Sequence, residues 1–87
     1  MQHLDETSKK FGIRVRELRE LKGWSQEHLA NVAGVHRTYL GGIERGLRNP
    51  SLRNIAKISM ALEVPLAILF NQEIPYHQGP QGARDGN

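Results

Sequence analysis

The sequence predicts an all-α domain of five helices, arranged around two short helices between Ser25 and Arg45. Apolar residues recur at helical spacing in the successive segments, as they do along the buried face of a helix. Serine, glycine or proline stands at the breaks between segments, where these residues cap or end helices. The length of 87 residues fits one domain, near the smallest size that folds on its own core, and dimerisation would help to stabilise it.

The composition excludes several classes of protein. The chain has no cysteine, so it can form neither a disulfide framework nor a thiolate metal site, and it is compatible with a reducing cytoplasm. No apolar run approaches the roughly 18 residues that a membrane span needs, and the polar start of the chain is not a signal peptide. We therefore expect a soluble, cytoplasmic protein with no membrane partner.

Nothing in the sequence indicates catalysis. The four histidines are too far apart for a shared metal site, and the glycines form no phosphate-binding loop. We expect no enzyme activity, no cofactor and no metal.

The first helix is predicted from about Ser8 to Lys22. Phe11, Val15 and Leu18 follow the spacing of a buried stripe, and the residues before the helix are expected to fray. A glycine directly after Lys22 ends the helix.

The second helix begins after Ser25, whose hydroxyl can cap it. Leu29, Ala30 and Ala33 recur on one face, and the small Ala30 allows a close approach of the next helix. Gly34 ends the helix, because glycine adopts positive φ without a Cβ penalty and lets the chain turn sharply.

The third helix restarts within two residues of that glycine. Its apolar pair, Leu40 and Ile43, together with Val35 before it, lies on the same small core. An ordinary antiparallel helix pair would use similar spacings. However, the pattern resembles the helix-turn-helix of the phage-repressor-like family, whose second helix reads the DNA major groove. The resemblance rests on five residues: Ala30, Gly34, Val35, Leu40 and Ile43.

The outward face of the third helix carries groups that suit double-stranded DNA. Arg37 can bond guanine O6 and N7 together, and Thr38 offers a hydroxyl and a methyl group to base edges. Tyr39 has two equal interpretations, as a core anchor or as a contact to the DNA backbone. Gln26, next to the cap of the preceding helix, is expected to donate its amide to a phosphate.

Two adjacent glycines, Gly41 and Gly42, interrupt the third helix at a cost of about 1 kcal/mol each relative to alanine. Without side chains they would let the helix lie close to the DNA, and Gly42 is expected to contact the sugar-phosphate backbone. The alternative is a locally weak helix that becomes firm on binding.

Basic residues are concentrated on and after this helix. Between residues 37 and 57, five basic residues stand against the single acid Glu44. Such a surplus suits a phosphate backbone, and Arg45 and Asn49 are expected to contact it. A solvated basic face is the alternative, which we favour for Lys57 alone. The five basic residues are Arg37, Arg45, Arg48, Arg53 and Lys57.

Ser51 is expected to cap a fourth helix that runs to about Leu62. Its predicted core residues are Leu52, Ile55, Ile58 (or Ser59) and Leu62. Beyond the fifth helix, residues 72–87 are rich in glycine and proline and predict a flexible tail, so that 1–71 form the domain.

The fifth helix, from Leu66 to about Asn71, has more apolar residues than one face can bury. The surplus predicts a homodimer. We assign Ile68 and Leu69 to its interface, and Leu66 and Phe70 to the core.

The run from His36 to Ser51 is similar to the controller proteins of restriction-modification systems, which are small dimeric regulators within the repressor-like family. The resemblance implies that Arg37, Thr38 and the loop residue Arg48 face DNA bases. It also implies regulation of the regulator's own gene and of an endonuclease gene from a pseudo-palindromic operator, with RNA polymerase as a further candidate partner. The chain departs from the pattern at Gly41, where a serine is common.

The wider repressor-like family also pairs an arginine of the first helix with a glutamate near the end of the reading helix. Arg19 and Glu44 match those positions, which implies a structural ion pair. Two unrelated surface charges are the alternative. For the whole protein, the competing function is a repressor-like antitoxin that binds a toxin protein.

Overall fold

A computed structural model describes the backbone of residues 2–70 and the side chains from residue 6 onward. Five helices follow one another in this part: α1 (Gln2–Leu21), α2 (Gln26–Ala33), α3 (Arg37–Glu44), α4 (Leu52–Leu62) and α5 (Leu66–Leu69). Residues 2–70 contain no strand, so the predicted all-α class is confirmed for this range. The predicted tail, 72–87, and the domain limit at residue 71 lie outside the described residues. No helix in the described range is long and apolar enough to cross a membrane.

Helix α1 begins six residues earlier than predicted, at Gln2 rather than Ser8. The prediction of fraying was wrong because no glycine or proline precedes Ser8, and extending an existing helix costs little. An i,i+4 contact of 4.0 Å between Lys10 Nζ and Glu6 Oε2 supports this first part. At the other end, Gly23 adopts a φ of 74° and ends the helix as expected.

The cap and the break of α2 are those that the sequence predicts. Ser25 Oγ accepts the His28 N–H at 3.0 Å, and Gly34 adopts a φ of 76°. His36 caps α3, because its Nδ1 accepts the Thr38 N–H at 3.2 Å. These local bonds fix where each helix starts and therefore which face of α3 meets the core.

One core joins all five helices. Leu29, Leu40 and Ile43 are fully buried in it, as the spacing predicts. Leu52 is an exception, because it is the first residue of α4 and stands 75% exposed, away from the core. The buried apolar residues are Phe11, Val15, Leu29, Ala30, Ala33, Leu40, Ile43, Ile58, Ala61, Leu62 and Leu69.

The crossing of α1 and α3 depends on Gly12, which no pattern in the sequence singles out. A Cβ atom on Gly12 would lie 2.1 Å from the backbone oxygen of Ile43 and 2.9 Å from that of Glu44. Side-chain rotation cannot relieve contacts with backbone atoms. Gly12 therefore sets how closely α3 approaches the long first helix.

The short helix α5 is oriented differently from the prediction. Leu69 is completely buried in the monomer core, so it cannot form the homodimer interface to which it was assigned. Leu66 and Phe70, predicted to be core, are 43% and 45% exposed, although the Phe70 ring stacks on Phe11 at 5.2 Å. In this single turn Leu69 faces the core, whereas Leu66 and Phe70, the residue that follows the helix, remain partly exposed. Ile68 is partly buried, and its carbonyl accepts Arg14 Nε at 3.0 Å.

Candidate nucleic-acid interface

Helix α3 is divided into an exposed first turn and a buried remainder. Arg37 and Thr38 are exposed, whereas the stretch from Leu40 to Glu44 is buried. The first turn therefore projects from the surface on a helix whose other end is held in the core. This geometry suits a helix that inserts its N-terminal side chains into the major groove.

A shallow cleft of about 190 Å³ lies between the start of α2 and this turn. Its lining combines guanidinium, hydroxyl and amide groups, and it contains no carboxylate. These groups donate hydrogen bonds to base edges and phosphates. The cleft brings together four residues predicted to contact DNA, and adds one of the two glycines: Gln26, Arg37, Thr38, Gly41 and Arg45.

The predicted pair of Arg19 and Glu44 is present as a two-pronged ion pair. Arg19 Nε and NH2 donate to the two Glu44 carboxylate oxygens at 2.7 and 2.9 Å, and NH1 donates to the Trp24 carbonyl at 2.7 Å. The two side chains are only 10% and 2% exposed, which excludes the alternative of unrelated surface charges. The hydrogen bond to Glu44 is the main cause that raises the pKa of Arg19, so this arginine stays charged at physiological pH.

Gln26 extends this network in a way that the sequence did not reveal. Its Nε2 donates to Glu44 Oε1 at 2.9 Å. The amide predicted to bind phosphate is thus already bonded within the protein, although a second hydrogen on the same nitrogen is left to donate. As a result, the start of α2, the end of α3 and α1 meet at one carboxylate.

Tyr39 takes the first of its two predicted roles, that of a core anchor. Its half-buried ring packs against the core, and its hydroxyl oxygen accepts Asn54 Nδ2 at 3.0 Å. The hydroxyl hydrogen remains able to donate to a phosphate. Asn54 was not identified from the sequence, because nothing in its spacing relates the start of α4 to α3.

Gly42, which is predicted to contact the sugar-phosphate backbone, is covered in the free protein. This glycine is buried, and the Arg48 side chain lies over it, with Arg48 Cγ 2.8 Å from the place of a Cβ atom. The Arg48 side chain therefore lies between Gly42 and solvent in the free protein. The missing side chain of Gly42 leaves room for Arg48. Arg45, Arg48 and Asn49, the other predicted contacts in this region, are all exposed.

The charge of this surface is more one-sided than the sequence count suggests. The only acid between residues 37 and 57 is Glu44, which is buried and paired with Arg19. The five basic residues of the same range are all exposed. Between residues 37 and 57, the surface around the exposed first turn of α3 therefore carries positive charge and no exposed acid. Such a surface suits a phosphate backbone.

Comparison with known proteins identifies the family. The helix-turn-helix family (HTH_3) matches residues 15–69, which span the part from the middle of α1 to the end of α5. The chain belongs to this helix-turn-helix family. The predicted resemblance to repressor-like proteins is confirmed.

Two relatives of this helix-turn-helix protein are controllers. The control protein C.BamHI of Bacillus amyloliquefaciens is 56% identical over 55 residues, which cover 62% of this chain and 68% of that protein. The crystal structure of the restriction-modification controller protein C.AhdI of Aeromonas hydrophila has 54% identity and a TM-score of 0.71, over 72% of this chain and 96% of the other.

A second solved structure is that of SinR, described as the master regulator for biofilm formation, in complex with DNA. It has 42% identity and a TM-score of 0.65, over 68% of this chain and 95% of that chain. The helix-turn-helix arrangement of this protein therefore recurs in a regulator whose structure was determined on DNA.

Proposed function

We propose that this helix-turn-helix protein is a restriction-modification controller that binds a pseudo-palindromic operator as a homodimer. At the coarser level it is a DNA-binding transcriptional regulator, as its family and relatives establish. The observation that carries the proposal is the exposed first turn of α3, with Arg37 and Thr38, beside a surface whose basic residues are exposed. The relatives named above give no support to the antitoxin alternative.

The roles of the side chains follow from their chemistry. Arg37 reads a guanine through its two-pronged fork, and Thr38 contacts a neighbouring base edge or a thymine methyl group. Arg48 reaches a base from the loop after α3. The contacts to the DNA backbone come from Gln26, Tyr39, Arg45 and Asn49, in keeping with their exposed or half-buried positions.

Arg37→Ala is expected to weaken operator binding by about 1–3 kcal/mol and to relax the base preference at one position of each half-site. The operator would first be selected from random DNA with the parent protein, and affinities then measured on it and on single-base variants. Arg16→Ala is the matched control, since it removes an exposed arginine of α1 that pairs with Glu20 at 3.0 Å, far from the reading turn in sequence.

If Arg37→Ala lost the same affinity on every sequence, Arg37 would be a phosphate contact rather than a base contact. If the parent selected no sequence at all, the proposed function itself would fail.

The second copy of the chain is expected to meet α5 through its exposed face. Leu66 and Phe70 are partly exposed there, and Ile68 lies beside them. A two-fold axis near this face would hold two reading helices about 34 Å apart, which is one turn of DNA.

Leu66→Asp is expected to yield a folded monomer. Leu66 is partly exposed in the single chain, so an aspartate there can stay hydrated. In a dimer interface the same charge would be buried without a partner, which costs roughly 2 kcal/mol or more. Sedimentation at micromolar concentration measures the change. Val32→Asp, at a half-exposed apolar residue of α2, serves as the control. If the Leu66→Asp protein dimerised as tightly as the parent, the dimer interface would lie elsewhere.

A further inference from the structure

We propose that Gly42 is a positioning residue that holds Arg48 in the orientation needed to contact DNA. The inference rests on the proposed function, because it concerns how one of the DNA-contacting side chains is prepared for binding. It assigns to Gly42 a role in the free protein, in place of the direct DNA contact that the sequence suggested.

The first observation is the fit between Gly42 and the stem of Arg48. A Cβ atom on Gly42 would lie 2.8 Å from Arg48 Cγ, 3.3 Å from Nε and 3.6 Å from Cδ. Real Cβ atoms do not approach a carbon as closely as the first of these distances. The atom in conflict is in the middle of the side chain, so the whole guanidinium would have to move if residue 42 had a side chain.

The second observation is the turn that brings Arg48 back over α3. Gly46 adopts a φ of 75°, its N–H donates to the Ile43 carbonyl at 3.0 Å, and the Leu47 N–H donates to the Gly42 carbonyl at 2.9 Å. This is the glycine-dependent turn that commonly ends a helix. Gly42 therefore contributes in two ways. Its carbonyl anchors the loop, and the space left by its missing side chain accommodates Arg48.

Tyr39 forms the other wall of this slot. It lies one turn before Gly42 on the same side of α3, and the guanidinium carbon of Arg48 is 5.7 Å from the centre of its ring. The hydrogen bond from Asn54 to the Tyr39 hydroxyl fixes the direction of that ring. Among the described residues Arg48 has no ion pair, so the ring and the slot, rather than a carboxylate, define its orientation.

An arginine that is already oriented loses less conformational freedom when it binds. Long side chains are among the most costly to immobilise, and preorganisation reduces that cost. Because Arg48 remains an exposed residue in this slot, its side chain is oriented and still available to bind DNA. The two glycines of α3 thus differ, since Gly41 faces the cleft and Gly42 faces Arg48.

The test is a double-mutant cycle of Gly42→Ala and Arg48→Ala, measured as affinity for the selected operator. We expect Gly42→Ala to weaken binding about tenfold in the parent, and to have no further effect when Arg48 is already alanine. Circular dichroism should show a melting temperature no lower than that of the parent, because alanine is the better helix former. A fall in affinity without a fall in stability separates positioning from a general structural role.

A nuclear magnetic resonance measurement on the free protein completes the test and needs no DNA. The Cδ protons of Arg48 should show a ring-current shift from Tyr39 in the parent, and Gly42→Ala should remove it.

The outcomes are distinguishable. Equal losses from Gly42→Ala with and without Arg48 would mean that Gly42 itself approaches the DNA, and would overturn the inference. Unchanged affinity of Gly42→Ala, with Arg48→Ala weakened, would overturn it as well but leave the proposed function intact. Failure of the parent to bind any DNA sequence would reject the proposed function.

Discussion

Replacing Glu44 with alanine is expected to destabilise the folded protein by about 3–5 kcal/mol, since it leaves the buried Arg19 guanidinium without its partner. The carboxylate receives two bonds from Arg19 and one from Gln26, so a single substitution removes three charge-assisted bonds. This is a large part of the stability of about 5–15 kcal/mol that a typical domain has. Urea unfolding followed by circular dichroism measures the loss.

Two matched variants show whether burial is the cause. Glu20→Ala breaks the exposed pair with Arg16 and should change stability by no more than about 1 kcal/mol. Replacing both buried partners, as Arg19→Met with Glu44→Leu, should recover much of the loss because no charge is left unpaired. A Glu44→Ala protein as stable as Glu20→Ala would show that the pair is solvated in solution.

The pH dependence of this pair has a definite sign on the arginine side. The pKa of Arg19 is raised in the folded state, so the stability that its charge contributes is complete below the ordinary pKa of an arginine and is lost as pH rises from there through the raised value. Arg19 therefore gives the protein no pH-sensitive step near neutrality.

Gly12→Ala is expected to be the other strongly destabilising change. The new methyl group would lie 2.1 Å from the Ile43 carbonyl oxygen, and only a separation of α1 from α3 can relieve the overlap. Overpacking commonly costs about 1–3 kcal/mol, and here it is resisted by backbone rather than by flexible side chains. Against this, alanine gains about 1 kcal/mol in helix propensity. Because the overlap is with backbone atoms, we place the cost at the upper end of that range, near 3 kcal/mol, which leaves a net loss of about 2 kcal/mol.

Gly41→Ala is the matched control for that experiment. It makes the same substitution within a helix, but its methyl group would meet the flexible ends of Arg45 and Gln26 at 3.3 and 3.4 Å. Its stability should equal or exceed that of the parent. Thermal unfolding of the two variants side by side would contradict our account of the α1–α3 crossing if Gly12→Ala were the more stable one.

The sequence predicts well what local chemistry determines. Ser25, Gly34 and Ser51 act on their own helix ends, and the structure has caps and breaks at each of them. The apolar stripes of the first three helices are also correct. Helical spacing depends on the chain alone, so it can be interpreted before any tertiary contact is known.

Features that depend on contacts between distant segments were predicted less well. The closeness of α1 to α3 at Gly12, the bond from Gln26 to Glu44 and the bond from Asn54 to Tyr39 join residues far apart in sequence. The predicted orientation of α5 was wrong, because the sequence of a single helical turn has too few residues to define a buried face. The Arg19–Glu44 pair was predicted only through family resemblance, which carries such long-range information.

The division of α3 into an exposed turn and a buried remainder has a consequence for how such a regulator can change its target. Arg37 and Thr38 contribute little to the core, whereas Leu40, Ile43 and Glu44 hold the helix in place. If the exposed turn reads bases as proposed, substitutions in it would alter which bases are preferred at almost no cost in folding free energy. New operator preferences are thus within reach of single mutations, and the scaffold that presents them stays the same.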